Sequence, residues 1–179
     1  MKVQDIMTDE VQSCRPETNL AEVAMQMWRG DFGILPVLAA GRKVVGVVTD
    51  RDICMAAATK HRDPTKIRVK EVMSGKVYGC SPDTDIYEAL RIMREKQVRR
   101  LPIIDAYDRK LAGILSMNDI VLKAEDSRRA EPSLRDVENT LKAICAHRKI
   151  APKVLAPLRR KQEPQPRPWQ QPRPHMAAA

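Results

Sequence analysis

The chain has 179 residues, of which 43% are hydrophobic and only 3% aromatic, so its core must be built from aliphatic side chains. No apolar run approaches the roughly 20 residues that a transmembrane helix needs, and the first residues lack the apolar region of a signal peptide. We therefore expect a soluble, cytoplasmic protein with no membrane association. The cysteines, Cys14, Cys54, Cys80 and Cys145, form no Cys-x-x-Cys pair, which disfavours a metal site and predicts buried free thiols.

An internal repeat with an offset of 66 residues organises the first two thirds of the chain. The matching segments are Val3–Met7 and Val69–Met73, Leu35–Val37 and Leu101–Ile103, and, at an offset of 67, Gly46–Ile53 and Gly113–Ile120. We expect two copies, residues 1–62 and 63–125, fused into one domain, because a unit of about sixty residues has only a marginal core by itself.

Each copy predicts the element order β-α-β-β-α, which gives an α/β (α+β) fold with two pseudo-symmetric halves packed through their sheets. In each copy a short strand precedes an amphipathic helix with apolar residues at helical spacing. A hairpin of two apolar strands follows, and a second helix begins after a hydroxyl residue. The predicted segments are strands Glu10–Cys14 and Lys76–Cys80, helices starting at Leu20 and Ile86, and hairpin strands Ile34–Leu38, Val44–Val48, Leu101–Ile104 and Leu111–Leu115.

The hydroxyl–aspartate pairs Thr49/Asp52 and Ser116/Asp119 stand where the last strand of each copy meets its last helix. Thr-x-x-Asp and Ser-x-x-Asp are helix-capping patterns in their own right. The same geometry also offers the free N–H groups of a helix N-terminus to an anion, and a carboxylate there can accept hydrogen bonds from ribose hydroxyls, as in dinucleotide folds. From the residues alone, both interpretations stay open.

The repeat and its motifs T-D-R-D-I (Thr49–Ile53) and S-M-N-D-I (Ser116–Ile120) resemble a tandem pair of cystathionine-beta-synthase (CBS) domains, often called a Bateman module, over residues 1–125. The resemblance implies a regulatory module, not an enzyme, that is commonly a homodimer. It implies binding of an adenosine-type ligand, AMP, ADP, ATP, NAD or S-adenosylmethionine, with no required cofactor, and signalling to an effector protein.

The resemblance also assigns roles by position. Asp52 and Asp119 would bind the ribose hydroxyls of two separate sites, and Thr49 and Ser116 would contact phosphate or ribose oxygens. The remaining implied ligand-binding residues are Cys14, Tyr78 and Cys80 beside the adenine, Pro36 and Pro102 in the pocket wall, and Arg51 and Arg100 toward phosphate.

Beyond the repeat, residues 126–149 predict a linker at Arg128–Pro132 and an amphipathic helix at Ser133–His147 that docks on the module or on a dimer surface. Residues 150–179 hold seven of the thirteen prolines and predict a disordered tail.

Residues 126–179 contain 12 basic and 5 acidic residues. An alternative function is therefore a structural dimerisation scaffold whose basic tail binds nucleic acid or an acidic partner, although Trp169 is the only aromatic residue of the tail, which argues against base stacking.

Overall fold

A hairpin flanked by two helices forms the centre of each repeat in the computed structural model, which describes residues 1–124 and 132–147. The helices and strands, all within one unit formed by Met1–Ala146, are α1 (Leu20–Gly30), β1 (Ile34–Leu38), β2 (Val44–Thr49), α2 (Asp50–Thr59), α3 (Ile86–Lys96), β3 (Arg100–Ile104), β4 (Leu111–Ser116), α4 (Met117–Lys123) and α5 (Leu134–Cys145). The predicted α/β class and pseudo-symmetric repeat are confirmed. Residues 128–131 of the predicted linker and the predicted disordered tail lie outside the described residues.

The two hairpins have the same strand pairing. Strands β1 and β2 are antiparallel with Leu35 opposite Val48, and β3 and β4 are antiparallel with Leu101 opposite Leu115. Each hairpin has a bulge near the end of its first strand, the second lying between Ile103 and Ile104. All four of the paired leucine and valine side chains are buried, so the hairpins turn equivalent faces toward the interior.

The predicted first strand of each copy is wrong in its extent. Instead of strands at Glu10–Cys14 and Lys76–Cys80, the structure has one parallel bridge per copy, Cys14 with Val37 and Cys80 with Ile103. The N–H of Cys14 donates to the carbonyl of Pro36 (3.1 Å). The next rung of a parallel ladder would need an N–H from Pro36, which proline lacks. Pro102 stops the second ladder in the same way.

The core consists of two clusters of buried aliphatic side chains, one in the first half (α1, β1, β2 and α2) and one in the second half (α3, β3, β4 and α4). The segment that leads into each copy packs in the opposite half. Val3, which is fully buried, belongs to the cluster of the second half, whereas Ile67 and Val69 belong to that of the first half. We call residues 1–8 the first lead-in and residues 67–74 the second lead-in.

Main-chain hydrogen bonds fix this exchange. Thr8 and Ile114 exchange two N–H···O bonds of 2.9 Å each, and Val47 pairs with Ser74 in the same way at 3.1 and 2.9 Å. The glycine that opens each motif makes room for the crossing lead-in: a Cβ atom on Gly113 would lie 2.8 Å from the carbonyl oxygen of Thr8. The exchanged lead-ins tie the two halves into one unit.

Helix α5 packs on the second half of the module, which is one of the two placements that its apolar stripe left open. Val137 enters the cluster of that half. The buried hydroxyl of Thr140 accepts a hydrogen bond from Nη1 of Arg94 (3.1 Å), and Nε2 of Gln97 donates to the carbonyls of Ala143 (3.1 Å) and Ala146 (2.9 Å). Polar contacts from Arg94 of α3 and from Gln97, the residue that follows α3, therefore hold both the middle and the C-terminal end of α5.

Candidate ligand-binding site

Each hydroxyl–aspartate pair forms a reciprocal capping box at the start of a helix. In the first half the carboxylate oxygen Oδ2 of Asp52 accepts hydrogen bonds from the N–H (2.9 Å) and the hydroxyl (2.7 Å) of Thr49. In the second half Oδ2 of Asp119 accepts from the N–H (2.7 Å) and the hydroxyl (2.8 Å) of Ser116. Both carboxylates are thereby fixed in orientation, with Oδ1 as the oxygen that a bound hydroxyl would approach.

A third capping box shows that this geometry alone does not define a ligand site. At the start of α5, Oδ2 of Asp136 accepts from the N–H (3.1 Å) and the hydroxyl (2.6 Å) of Ser133. This box matches the other two atom for atom. What distinguishes the motif of the second half from this third box is the cavity that lies beside Ser116 and Asp119.

The cavity beside Ser116 and Asp119 has a volume of about 450 Å³ and is built from both halves. Its polar rim includes Arg100 and Asn118, and the first half supplies apolar wall and lead-in residues. The lining residues are Thr8, Glu10, Val11, Gln12, Gly30, Asp31, Phe32, Ile34, Leu35, Arg100, Ile114, Ser116, Asn118 and Asp119. We call it the Asp119 cavity. The lead-in exchange creates it, because the Thr8–Ile114 pairing brings residues 8–12 beside the second motif.

Of the two consecutive arginines Arg99 and Arg100, only Arg100 lines the Asp119 cavity. Both line a smaller neighbouring cavity of about 250 Å³, together with Leu141 of α5. Nη2 of Arg99 lies 3.9 Å from Sγ of Cys145. Arg51, which stands in the first motif where the second has Asn118, is exposed on the first turn of α2.

The other candidate residues lie apart from the Asp119 cavity. Pro36 and Pro102 are buried within β1 and β3. Cys14 is buried and Cys80 half-buried, and burial raises the pKa of each thiol to about 11. Of the first-half strand β1, the cavity is lined by Ile34 and Leu35, not by the proline.

The expectation of four buried cysteines is wrong for two of them. All four thiols are free, but Cys54 and Cys145 are exposed. Cys54 lies on the outer face of α2 and lines a groove described below. Cys145 is the last residue of α5. The helical apolar pattern includes these small side chains without distinguishing a core-facing position from an outer one.

Tyr78 lies under two ammonium groups. The Nζ atoms of Lys76 and Lys96 are 5.5 and 5.7 Å from the centre of its ring, a distance at which a cation is attracted to the ring face. Tyr78 is half-buried against the cluster of the second half. In the repeat it corresponds to Gln12, which lines the Asp119 cavity.

A groove of about 820 Å³, lined by residues of the first half and by Arg100 of β3, was not predicted from the sequence. Its position corresponds to the seat of α5 on the second half: Trp28 and Asp31 in the groove are the repeat equivalents of Arg94 and Gln97, which hold α5. Trp28 is 84% exposed. We call this surface the first-half groove. The sequence contains a signal for this groove. The α5 segment follows the second repeat, and the first repeat has no matching segment that could cover the equivalent surface.

Among residues 1–124 and 132–147 there is no helix long and apolar enough to cross a bilayer. The same ranges contain no group of three or more His, Cys, Asp or Glu side chains placed to hold a metal ion.

The exchanged lead-ins, the paired hairpins and the two capping boxes define a tandem module of two αββα repeats, each with one parallel bridge before its first helix. The family model described as CBS domain matches residues 3–59 and again residues 69–126. The chain therefore belongs to the CBS domain family, and the resemblance noted from its motifs is confirmed.

Individual relatives support the assignment. YlbB of Bacillus subtilis (strain 168) is 31% identical over 137 residues, which cover 76% of this chain and 90% of YlbB. The crystal structure of Hypoxic Response Protein I with two coordinated zinc ions superposes with a TM-score of 0.64 and 30% identity, covering 70% of this chain and all of that one. The crystal structure of CBSX2 in complex with AMP gives a TM-score of 0.58 and 28% identity, covering 68% and 93%.

Proposed function

We propose that the protein is a regulatory module that binds an adenosine-containing nucleotide and passes its state to a partner protein. The observation that carries the proposal is the Asp119 cavity, in which an oriented carboxylate, a serine hydroxyl and the guanidinium of Arg100 meet an apolar wall. A carboxylate suits a ribose diol, a guanidinium suits a phosphate, and an apolar wall suits a base.

The likeness to CBSX2, whose structure contains AMP, supports an adenine nucleotide as the ligand. We assign Asp119 to the ribose hydroxyls, Ser116 to ribose or phosphate oxygens and Arg100 to phosphate. The pair Thr49 and Asp52 would serve a second, pseudo-equivalent site on the other side of the module. The nucleotide acts as a regulatory ligand and not as a cofactor, and the proposed role is non-catalytic and cytoplasmic.

Tyr78, Cys80, Cys14 and the two strand prolines remain proposed ligand-binding residues. Tyr78 is supported by its repeat equivalent Gln12, which lines the Asp119 cavity. The nucleic-acid alternative depends on residues 150–179, outside the described ranges, and stays a prediction.

The test is isothermal titration calorimetry of the full chain with AMP, ADP, ATP, NAD and S-adenosylmethionine. Asp119→Ala should abolish binding at its own site. Since this change also removes a helix cap, at a cost of about 1 kcal/mol, the matched control is Asp136→Ala, which removes the same cap from α5. If Asp119→Ala binds as many nucleotides per chain as the natural protein, or if Asp136→Ala loses the same number of sites, the assignment is contradicted. Failure of every nucleotide to bind would refute the sensing function.

We also propose that the protein is a homodimer that uses the first-half groove. Helix α5 covers the surface of the second half that corresponds to the first-half groove. In the described residues no helix covers the groove itself, and its Trp28 is exposed. Sedimentation equilibrium should give a dimer for the natural chain and a monomer for Trp28→Glu. A monomeric natural chain would refute this assembly and favour a different protein as the occupant of the groove.

A further inference from the structure

The two candidate sites differ in charge far more than their shared motif suggests. The comparison depends on the proposed function, since it takes both hydroxyl–aspartate pairs to be ligand sites. The lead-in pairings place the two sites in the same setting: Thr8 pairs with Ile114 two residues before Ser116, and Ser74 pairs with Val47 two residues before Thr49. Residues at the repeat offset therefore occupy corresponding places around the two motifs.

Around Asp119 the variable positions are acidic or neutral. Glu10 and Asp31 both line the cavity and both are exposed at its rim, and Asn118 is uncharged. With Asp119 itself, three carboxylates face one guanidinium, that of Arg100, across a cavity of about 450 Å³. Arg99, the next cation along the chain, lines the neighbouring cavity and is directed toward α5.

Around Asp52 three of the corresponding positions are basic, whereas Gln97 corresponds to Asp31 and Ile34 corresponds to Arg100, and both are uncharged. In the repeat, Lys76 is equivalent to Glu10, Arg51 to Asn118 and Lys96 to Gly30. The structure brings two of these cations together, because the Nζ atoms of Lys76 and Lys96 both lie within 6 Å of the Tyr78 ring, at 5.5 and 5.7 Å.

We propose that the two sites take different classes of adenosine ligand. The Asp52 site, with its lysines and Arg51, binds a nucleoside polyphosphate such as ATP. The Asp119 site, whose carboxylates face the single guanidinium of Arg100, binds an adenosine derivative with at most one phosphate, such as AMP, or with an uncharged or cationic 5′ substituent, such as 5′-methylthioadenosine. The module then binds two different ligands, one at each hydroxyl–aspartate pair.

The size of the discrimination follows from Coulomb's law. The interaction of two unit charges about 8 Å apart in water changes a binding constant by roughly twofold. A triphosphate carries several charges, and each of them interacts with several side chains of a site. The net preference between sites should therefore be at least about tenfold at low ionic strength, and it should weaken as salt shortens the Debye length.

The experiment is calorimetric titration of the full chain with ATP and, separately, with 5′-methylthioadenosine. Asp52→Ala should remove ATP binding and leave methylthioadenosine binding intact, and Asp119→Ala should do the reverse. Exchange variants test the charges directly: Glu10→Lys should strengthen ATP binding at the Asp119 site by about threefold or more, and Lys76→Glu should weaken it at the Asp52 site by a similar factor. Both changes are at exposed side chains, so the fold should tolerate them.

The outcomes separate this inference from the proposed function. If neither compound nor AMP binds, the proposed function fails. If adenosine ligands bind but ATP and methylthioadenosine compete for the same site, or if both exchange variants leave the affinities unchanged, the function stands and the assignment of two ligand classes is refuted.

Discussion

Replacing Gly113 by alanine tests the idea that the exchanged lead-in shapes the second site. The new Cβ atom would lie 2.8 Å from both the carbonyl oxygen of Thr8 and the sulfur of Met7. The flexible Met7 side chain can move aside, but the Thr8 carbonyl accepts the N–H of Ile114 at 2.9 Å. Relief of the contact must therefore disturb the pairing of the lead-in with β4.

Overpacking of this kind costs about 1–3 kcal/mol. For a protein of this size that corresponds to a decrease in melting temperature of roughly 3–10 °C, measured by differential scanning calorimetry. The matched control is Gly75→Ala, because a Cβ atom there meets nothing within 4 Å and the glycine has no left-handed backbone. Since Thr8 lines the Asp119 cavity, Gly113→Ala should also weaken ligand binding there. Equal melting temperatures for the two variants would refute the reasoning.

Two further predictions concern the core. At pH 8 a thiol reagent such as dithionitrobenzoate should modify the exposed Cys54 rapidly. Cys14 should react only when the protein unfolds, because it is buried and burial raises the pKa of its thiol to about 11. Equal reaction rates for the two thiols would contradict the burial of Cys14. Val3→Ala should lower the free energy of unfolding by about 1–3 kcal/mol. Because Val3 packs in the second half, the substitution should also weaken the hydrogen-exchange protection of α3 more than that of α1. Greater loss of protection in α1 would refute the exchange of the lead-ins.

Much of this architecture could be predicted because the sequence repeats itself. The helices, the hairpins and the two capping boxes all follow from local patterns, such as Thr49 three residues before Asp52. Helix α5 was also predictable, since Ser133 and Asp136 form a third box of the same kind. These features depend on contacts between residues close in sequence, which is why one sequence suffices to find them.

The exchange of the lead-ins could not be predicted in this way. Val3 and Val69 occupy equivalent positions, and a repeat pattern is the same whether each segment packs on its own copy or on the other. The shortened first strands depend on which rung of the ladder meets Pro36, and that is a property of strand pairing. The Asp119 cavity combines Gln12 and Leu35 of one half with Ser116 of the other, so its lining became visible only with the tertiary structure.

The most direct test of the central claim is a ¹H–¹⁵N correlation spectrum of the protein titrated with AMP. We expect amide shifts at Thr8–Gln12, Arg100 and Ser116–Asp119, the segments that line the Asp119 cavity. Asp119→Ala should abolish these shifts. Shifts confined to α5, or no shifts even at millimolar AMP, would contradict a nucleotide site in this cavity.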